Sequence, residues 1–555
     1  MPESLRKLLF AAAVSLSAGV AAAQSAPSEL SESTLYEFLL GEIALQRGDG
    51  GLAAQTYLEL AKRTRDPRVA RRAVEVANQA RMPELALEAA KSWYQLEPES
   101  SHALQVVAAM LVANKRVEEA EPYLRKLLAA PGSSLENGFM QLNRLLAGNP
   151  DKTSNLRVVR SLAASHPQLA QAHFAVAQAA LIAGDDEAAL AAIRQAAALR
   201  PEWEMAALFE AQVMQKRSPA AAAKVLGEFV ERNPASREAR LNYARVLVLD
   251  KRFPEARQQF EALLAANPGN TDVVYAVALL AFQLKDYPVA EENMKRLLGM
   301  GYRDPNGVRY LLGQVAEEQK LWPRAVEWYE QIKTGEHALP ARMRTANAIA
   351  KQGRLDEARD FLKRVGADNP DEQVQLVVAE AQLLRDVNRH GDAFEVLEQA
   401  LAADPEQPEL LYDFALTAEK LERFDLLESK LRRLIEVRPD HAHAYNALGY
   451  SLAERNLRLP EARKLIERAL ELAPEDYFII DSLGWVQYRE GDLEGAAETL
   501  RRAYNGRPDA EIGAHLGEVL WVLGERDEAD RVWQESLKSS PGNETLIKTI
   551  KRLRK

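Results

Sequence analysis

The chain of 555 residues has no cysteine. That one absence excludes disulfides, thiolate metal sites, a catalytic cysteine and a lipid-modified N-terminal cysteine. No apolar run beyond residue 20 approaches eighteen residues, so no membrane span is expected after it. The sequence also lacks H-E-x-x-H, a glycine-rich phosphate loop with lysine, and a G-x-S-x-G elbow. Gly48-Asp49-Gly50-Gly51 is glycine-rich, but it separates two helical patterns with no strand before it, which predicts a turn. His441-Ala442-His443 places its imidazoles at i and i+2, off a common helix face, so no metal is expected there. Asp185-Asp186 and Glu291-Glu292 fall in turns or on solvated faces. No catalytic, cofactor-binding or metal residue is therefore predicted, and the chain does not read as an enzyme. A net charge of −10 also leaves it without the basic face that nucleic acid requires, and protein partners are expected instead.

What is present begins with a leader. Arg6 and Lys7 precede an apolar run from Leu8 to Val20, and Ala21-Ala22-Ala23 offers a small-residue cleavage site. Residues 1–23 read as a secretory signal peptide and 24–32 as a flexible mature N-terminus. Export together with the lack of cysteine suits the periplasm of a Gram-negative bacterium.

From there a proline returns about every 34 residues. The series runs from Pro67 through Pro98, Pro131, Pro167, Pro201 and onward to Pro541, at intervals of 30 to 37. Ahead of most of these prolines lie two helical patterns separated by a short turn. In the clearest, Gly491-Asp492 breaks the first pattern, and Ala496, Leu500 and Ala503 then mark one buried face of the second. A small residue recurs twelve positions before the proline, as Ala86, Ala189, Ala222, Ala256, Ala358, Ala393, Ala462, Ala496 and Ala529. A Leu-Gly pair recurs earlier, ending in Gly41, Gly313, Gly449, Gly484 and Gly517. Pro83, Pro254, Pro288, Pro323 and Pro460 stand where a second helix would begin, a place that tolerates proline. The period is least regular between Pro131 and Pro167, Pro268 and Pro305, and Pro340 and Pro370, where changes of curvature are expected.

This layout resembles the tetratricopeptide repeat (TPR) across roughly residues 33–541. The resemblance implies an all-α, right-handed superhelical solenoid of about 14–15 helix-turn-helix repeats. Residues 542–555, with Leu546, Ile547, Ile550 and Leu553 at helical spacing, read as a capping helix. Its basic residues read as a solvated C-terminus favoured by the helix dipole. A unit of this size cannot bury its apolar face alone, while ordering it costs about 1–2 kcal/mol per residue, so stability must come from stacking. No gap between the repeat prolines exceeds 37 residues, which leaves a catalytic domain nowhere to sit.

In the resembled family the first helix of each repeat lines a concave surface, at positions two, five, nine and twelve. Carried onto the last three repeats, that frame assigns His443, Asn446 and Tyr450, then Phe478, Asp481, Trp485 and Tyr488, then Glu518 and Trp521, to a partner-binding groove. Aromatic side chains gathered in a groove are typical protein anchors. For Trp485 and Trp521, packing between repeats is an equal alternative. The Lys/Asn clamp by which some family members hold a C-terminal carboxylate is not visible.

Asp481-Ser-Leu-Gly-Trp485 and Ala514-His-Leu-Gly-Glu518-Val-Leu-Trp521 are also similar to a group of proteobacterial envelope adaptors. That group includes the lipoprotein partner of the carboxyl-terminal processing protease. The resemblance implies a non-catalytic scaffold that binds a periplasmic serine protease and presents cell-wall hydrolases to it. A scaffold in polysaccharide secretion or outer-membrane assembly is the alternative. The lipidated cysteine of that group is missing here, so no lipid anchor is expected.

Overall fold

The computed structural model describes residues 31–130 and 134–554. The leader and most of the stretch read as flexible lie outside the described residues, as do Pro131, Gly132 and Ser133. Ser31 and Glu32, expected to be flexible, instead form a cap and a first turn, with Ser31 Oγ accepting the Thr34 N–H at 3.2 Å. Among the described residues there are 31 α-helices and no strands. They pair as helix hairpins, from Glu32–Gln46 with Gly50–Thr64 to Ala510–Leu523 with Arg526–Ser539, and end in the single helix Glu544–Leu553. The chain divides into two compact units, Met1–Pro268 and Gly269–Lys555.

Within each hairpin the small residues set how closely the helices approach. All nine alanines that precede the recurring proline by twelve positions are fully buried. The glycine of each Leu-Gly pair faces a large side chain of its partner helix. A Cβ at Gly484 would lie 2.6 Å from Leu500 Cγ, one at Gly449 2.6 Å from Ile466 Cγ1, and one at Gly517 2.0 Å from Trp533 Nε1. Large residues on the second helix thus enter notches left by small ones on the first, which is how the hairpin reaches interior packing density.

The turn inside most hairpins contains a residue with left-handed backbone, though the turns before Pro219 and Lys152 do without one. Gly491 (φ 93°) and Gly524 (φ 91°) supply it in the last two hairpins. The N–H groups that follow close each helix, as when Asp492 donates to the Gln487 carbonyl at 3.0 Å. Elsewhere Lys115, Lys251, Lys285, Lys320 and Glu422 take the same conformation at φ 56–61°, at a steric cost that glycine would avoid.

The recurring proline has more than one place. Pro98, Pro234, Pro439 and Pro474 occupy the second position of a turn after the second helix, closed by bonds such as Asp476 N–H to Ala473 O at 3.2 Å. That position fits their fixed φ. Pro67, Pro305 and Pro370 sit instead in the first turn of the following helix, and Pro340 lies inside Ala338–Ala350. The wide interval before Pro305 is therefore mostly a displaced proline, because the first helices there begin at Thr271 and Pro305, one ordinary period apart. The longer step is at Pro370–Asp386, a helix of 17 residues whose successor begins at Pro408. Pro83, Pro254, Pro288, Pro323 and Pro460 do open second helices.

Neighbouring hairpins are tied by polar contacts between residues 24 to 33 positions apart. Arg324 pairs with Glu291, Arg432 with Glu461, Arg501 with Glu525 and Glu528, and Asn114 Nδ2 donates to Pro83 O at 3.0 Å. Glu544–Leu553 closes the second unit with Leu546 buried and Ile550 and Leu553 partly so. Arg552 and Arg554 are tied back to Glu518 and Asp530, so these two cations of the basic tip are spent on the preceding hairpin.

Candidate functional site

The nine expected groove residues all lie on the first helices of the last three hairpins, Ala442–Glu454, Tyr477–Glu490 and Ala510–Leu523. These helices pack side by side, the first on the second and the second on the third. Their shared face is largely closed. Trp485 is 4% exposed, Asp481 6% and Glu518 3%, so these three present no free surface to a partner.

The side chains that bury them are specific. The Trp485 indole stacks on His515, with ring centroids 4.2 Å apart and planes at 26°, and its Nε1–H donates to Glu454 Oε2 at 2.7 Å. His515 Nδ1 lies 2.9 and 3.0 Å from the two Asp481 carboxylate oxygens. Tyr450 Oη stands 3.4 Å from His515 Nε2, and Tyr488 donates to Glu518 Oε1 at 3.2 Å. Burial alone would push the His515 imidazolium to lose its proton. The Asp481 carboxylate in contact with it outweighs that, and its pKa is raised. Burial pushes the Tyr450 phenol up. The arrangement is a polar seam locking three hairpins, which is the packing alternative for Trp485.

The remaining candidates are more open. Phe478 is 39% exposed beneath the Arg507 guanidinium, 4.6 Å from its centroid. His443 is exposed and Asn446 half-buried, while Trp521 is half-buried against Trp533 at 5.5 Å. His441, the other member of the His-x-His pair, accepts the Ala444 N–H on Nδ1 at 3.1 Å and so caps its helix. Gly48 stands at φ 79° and Asp49 caps the next helix, the turn expected there. Among the described residues no cluster of three or more His, Asp or Glu is placed to hold a metal ion, and no helix is long and apolar enough to cross a membrane.

An open groove lies on first helices elsewhere in the chain. In the first unit, Ala170–Ile182, Glu204–Gln215 and Arg237–Leu249 enclose about 480 Å³ between Phe174, Met205, Leu208, Phe209 and Val246, with Gln178, Gln212, Gln215 and Asn242 at its polar edge. Met205 is 47% exposed. Met205, Leu208, Gln212 and Gln215 hold, in their own helix, the offsets two, five, nine and twelve used above for the last repeats. The same frame reaches them, and none of the four is aromatic.

In the second unit a groove of about 470 Å³ lies on Ala338–Ala350, Pro370–Asp386 and Pro408–Lys420. It is lined by Met343, Val378 and Leu383 and carries Arg344, Arg385 and Asp413. Its cations are partnered: Arg385 donates to Asp413 Oδ1 and to Gln382 Oε1, each at 2.6 Å, and Arg344 is bound by Glu317 and Tyr310.

The tetratricopeptide-repeat family model matches residues 213–271, 275–340 and 412–477. A TPR repeat-containing protein of Pseudomonas aeruginosa is 33% identical over 523 residues, covering 94% of this chain and 88% of its own. The chain belongs to the tetratricopeptide-repeat proteins. Its first helices are thus the first helices of tetratricopeptide repeats, a fold suited to protein partners. Cellulose synthase operon protein C of Pseudomonas fluorescens is 22% identical over 343 residues, 58% of this chain and 24% of that protein. Among solved structures, yeast Tom70 is 14% identical and covers 95% of this chain and 96% of its own, at a TM-score of 0.35, too slight a likeness to add to the fold.

Proposed function

We propose that the chain is a non-catalytic protein-interaction scaffold of the bacterial envelope, exported to the periplasm. There it binds a carboxyl-terminal processing protease and presents cell-wall hydrolases to it. The observation that carries the scaffold reading is the open first-helix groove of the tetratricopeptide repeats, with an apolar floor and amide side chains at its edge. The choice of partner rests on the similarity of Asp481–Trp485 and Ala514–Trp521 to envelope adaptors, and on the leader-like residues 1–23. Pull-down with the chain lacking residues 1–23 from envelope extract tests it. A serine protease or murein hydrolase in the eluate supports this partner, and the lack of both counts against it. A second reading draws on the likeness to cellulose synthase operon protein C: a scaffold in polysaccharide secretion or outer-membrane assembly. Recovery of synthase or secretion-channel subunits in the same experiment would favour it.

A further inference from the structure

We infer that the groove formed by Phe174, Met205, Leu208, Gln212, Gln215 and Glu238 takes an extended peptide segment in which apolar side chains alternate with Lys or Arg. The inference rests on the scaffold reading and adds where a partner sits and what it carries.

The groove has a floor and an edge of different chemistry. Phe174 and Val246 are buried beneath it, while Leu208 and Phe209 are half-exposed and Met205 more so, so an entering apolar side chain finds carbon below and beside it. The unbranched Met205 thioether adjusts its shape to what it meets. Along the edge stand four amides, Gln178, Gln212, Gln215 and Asn242. An amide offers both donors and an acceptor, which an extended main chain needs because its own N–H and C=O groups have no internal partners. A helical ligand would have no such need.

Charge selects the side chains. Glu238 is the single ionised residue of the lining, and its carboxylate accepts a hydrogen bond from Asn242 Nδ2 at 3.0 Å. No Lys or Arg lines the groove, in contrast to the groove of the second unit with Arg344 and Arg385. An acidic segment would meet the Glu238 carboxylate and no cation, whereas a cation projecting from alternate positions would reach Glu238 while its neighbours face the floor. Three first helices at about 8–10 Å spacing span about 20 Å, or about six extended residues.

The test uses the full chain and three fluorescein-labelled peptides of twelve residues, alternating Leu-Lys, Leu-Glu and Ser-Gly, read by fluorescence anisotropy. The Leu-Lys peptide is expected to bind and the others not. Leu208→Ala and the exposed-edge variant Gln212→Ala should each weaken it about tenfold. Glu238→Lys should shift preference toward Leu-Glu, and Glu187→Lys, on a second helix outside the groove, should change nothing. Equal binding of Leu-Lys and Leu-Glu, or indifference to Leu208→Ala and Gln212→Ala, overturns the inference. So does a dimer seen by light scattering that Leu208→Ala converts to monomer, because the occupant would then be a second copy. A photoreactive residue at position 212 or 385, exposed to envelope extract, separates this inference from the broader one. Crosslinks at 385 alone sink the groove and leave the scaffold standing; crosslinks at neither sink both.

Discussion

The first helices of Ala170–Leu249 and those of Ala442–Leu523 share one repeat frame, yet one set leaves an open groove and the other is closed by its own side chains. In the open stretch the fifth and ninth positions of the middle helix are Leu208 and Gln212, which line the groove. In the closed stretch the same positions are Asp481 and Trp485, which meet His515 and Glu454 from the neighbouring hairpins. A helix position in a repeat array is thus binding surface or internal seam according to what its neighbour offers, and side-chain type alone does not settle which.

Substitutions can break that contrast. Trp485→Ala removes a buried ring together with its stacking and hydrogen bond, and should destabilise the last three hairpins by about 3–5 kcal/mol. Hydrogen exchange resolved by region reads this best, because an array need not unfold in one step. Protection in residues 442–523 should fall while residues 170–249 stay protected. Gly517→Ala would drive a methyl group against Trp533 and should cost about 1–3 kcal/mol over the same hairpins.

A smaller effect follows pH. His515 has a raised pKa in the fold, so its pairing with Asp481 contributes fully below the unfolded value of about 6.5. That contribution is lost as pH rises through the folded value. Tyr450, Glu454 and Glu511 also face this group. Thermal scans from pH 6 upward should show the decline, and His515→Gln should flatten it. A slope left unchanged by His515→Gln would assign the pH dependence to other groups. In the hairpin whose first helix lines one side of the open groove, Lys251→Gly relieves a left-handed lysine and should stabilise by about 1 kcal/mol. Smallest of all, Met205→Ala should move stability by less than about 0.5 kcal/mol, since about half of Met205 is in water.

The repeat was legible in the sequence because its punctuation is chemical. Proline fits a fixed turn position, and alanine and glycine mark where helices touch, so nine alanines and five glycines could be placed in the packing by counting. Among the described residues the proline ruler drifts where proline takes a second permissible home, the first turn of the next helix, as at Pro305 and Pro370. The site was less legible. Counting placed Trp485, Asp481 and Glu518 on the first-helix face, where they are, but burial there depends on His515, Glu454 and Arg552, each 31 to 34 residues away in sequence. The open groove is illegible for the opposite reason: methionine, leucine and glutamine at groove offsets look like any helix surface.

Several polar ties between hairpins link residues almost one period apart: 33 for Arg324–Glu291, 31 for Trp485–Glu454 and 34 for His515–Asp481. An array joined in this way has a natural quantum of insertion and deletion. Adding or excising one whole hairpin would keep the alternation of first and second helices, while a change of half that length would put second helices where first helices stack. Gene-level duplication can therefore lengthen or shorten this chain in steps the fold tolerates, and each step brings another first helix to be made into seam or groove.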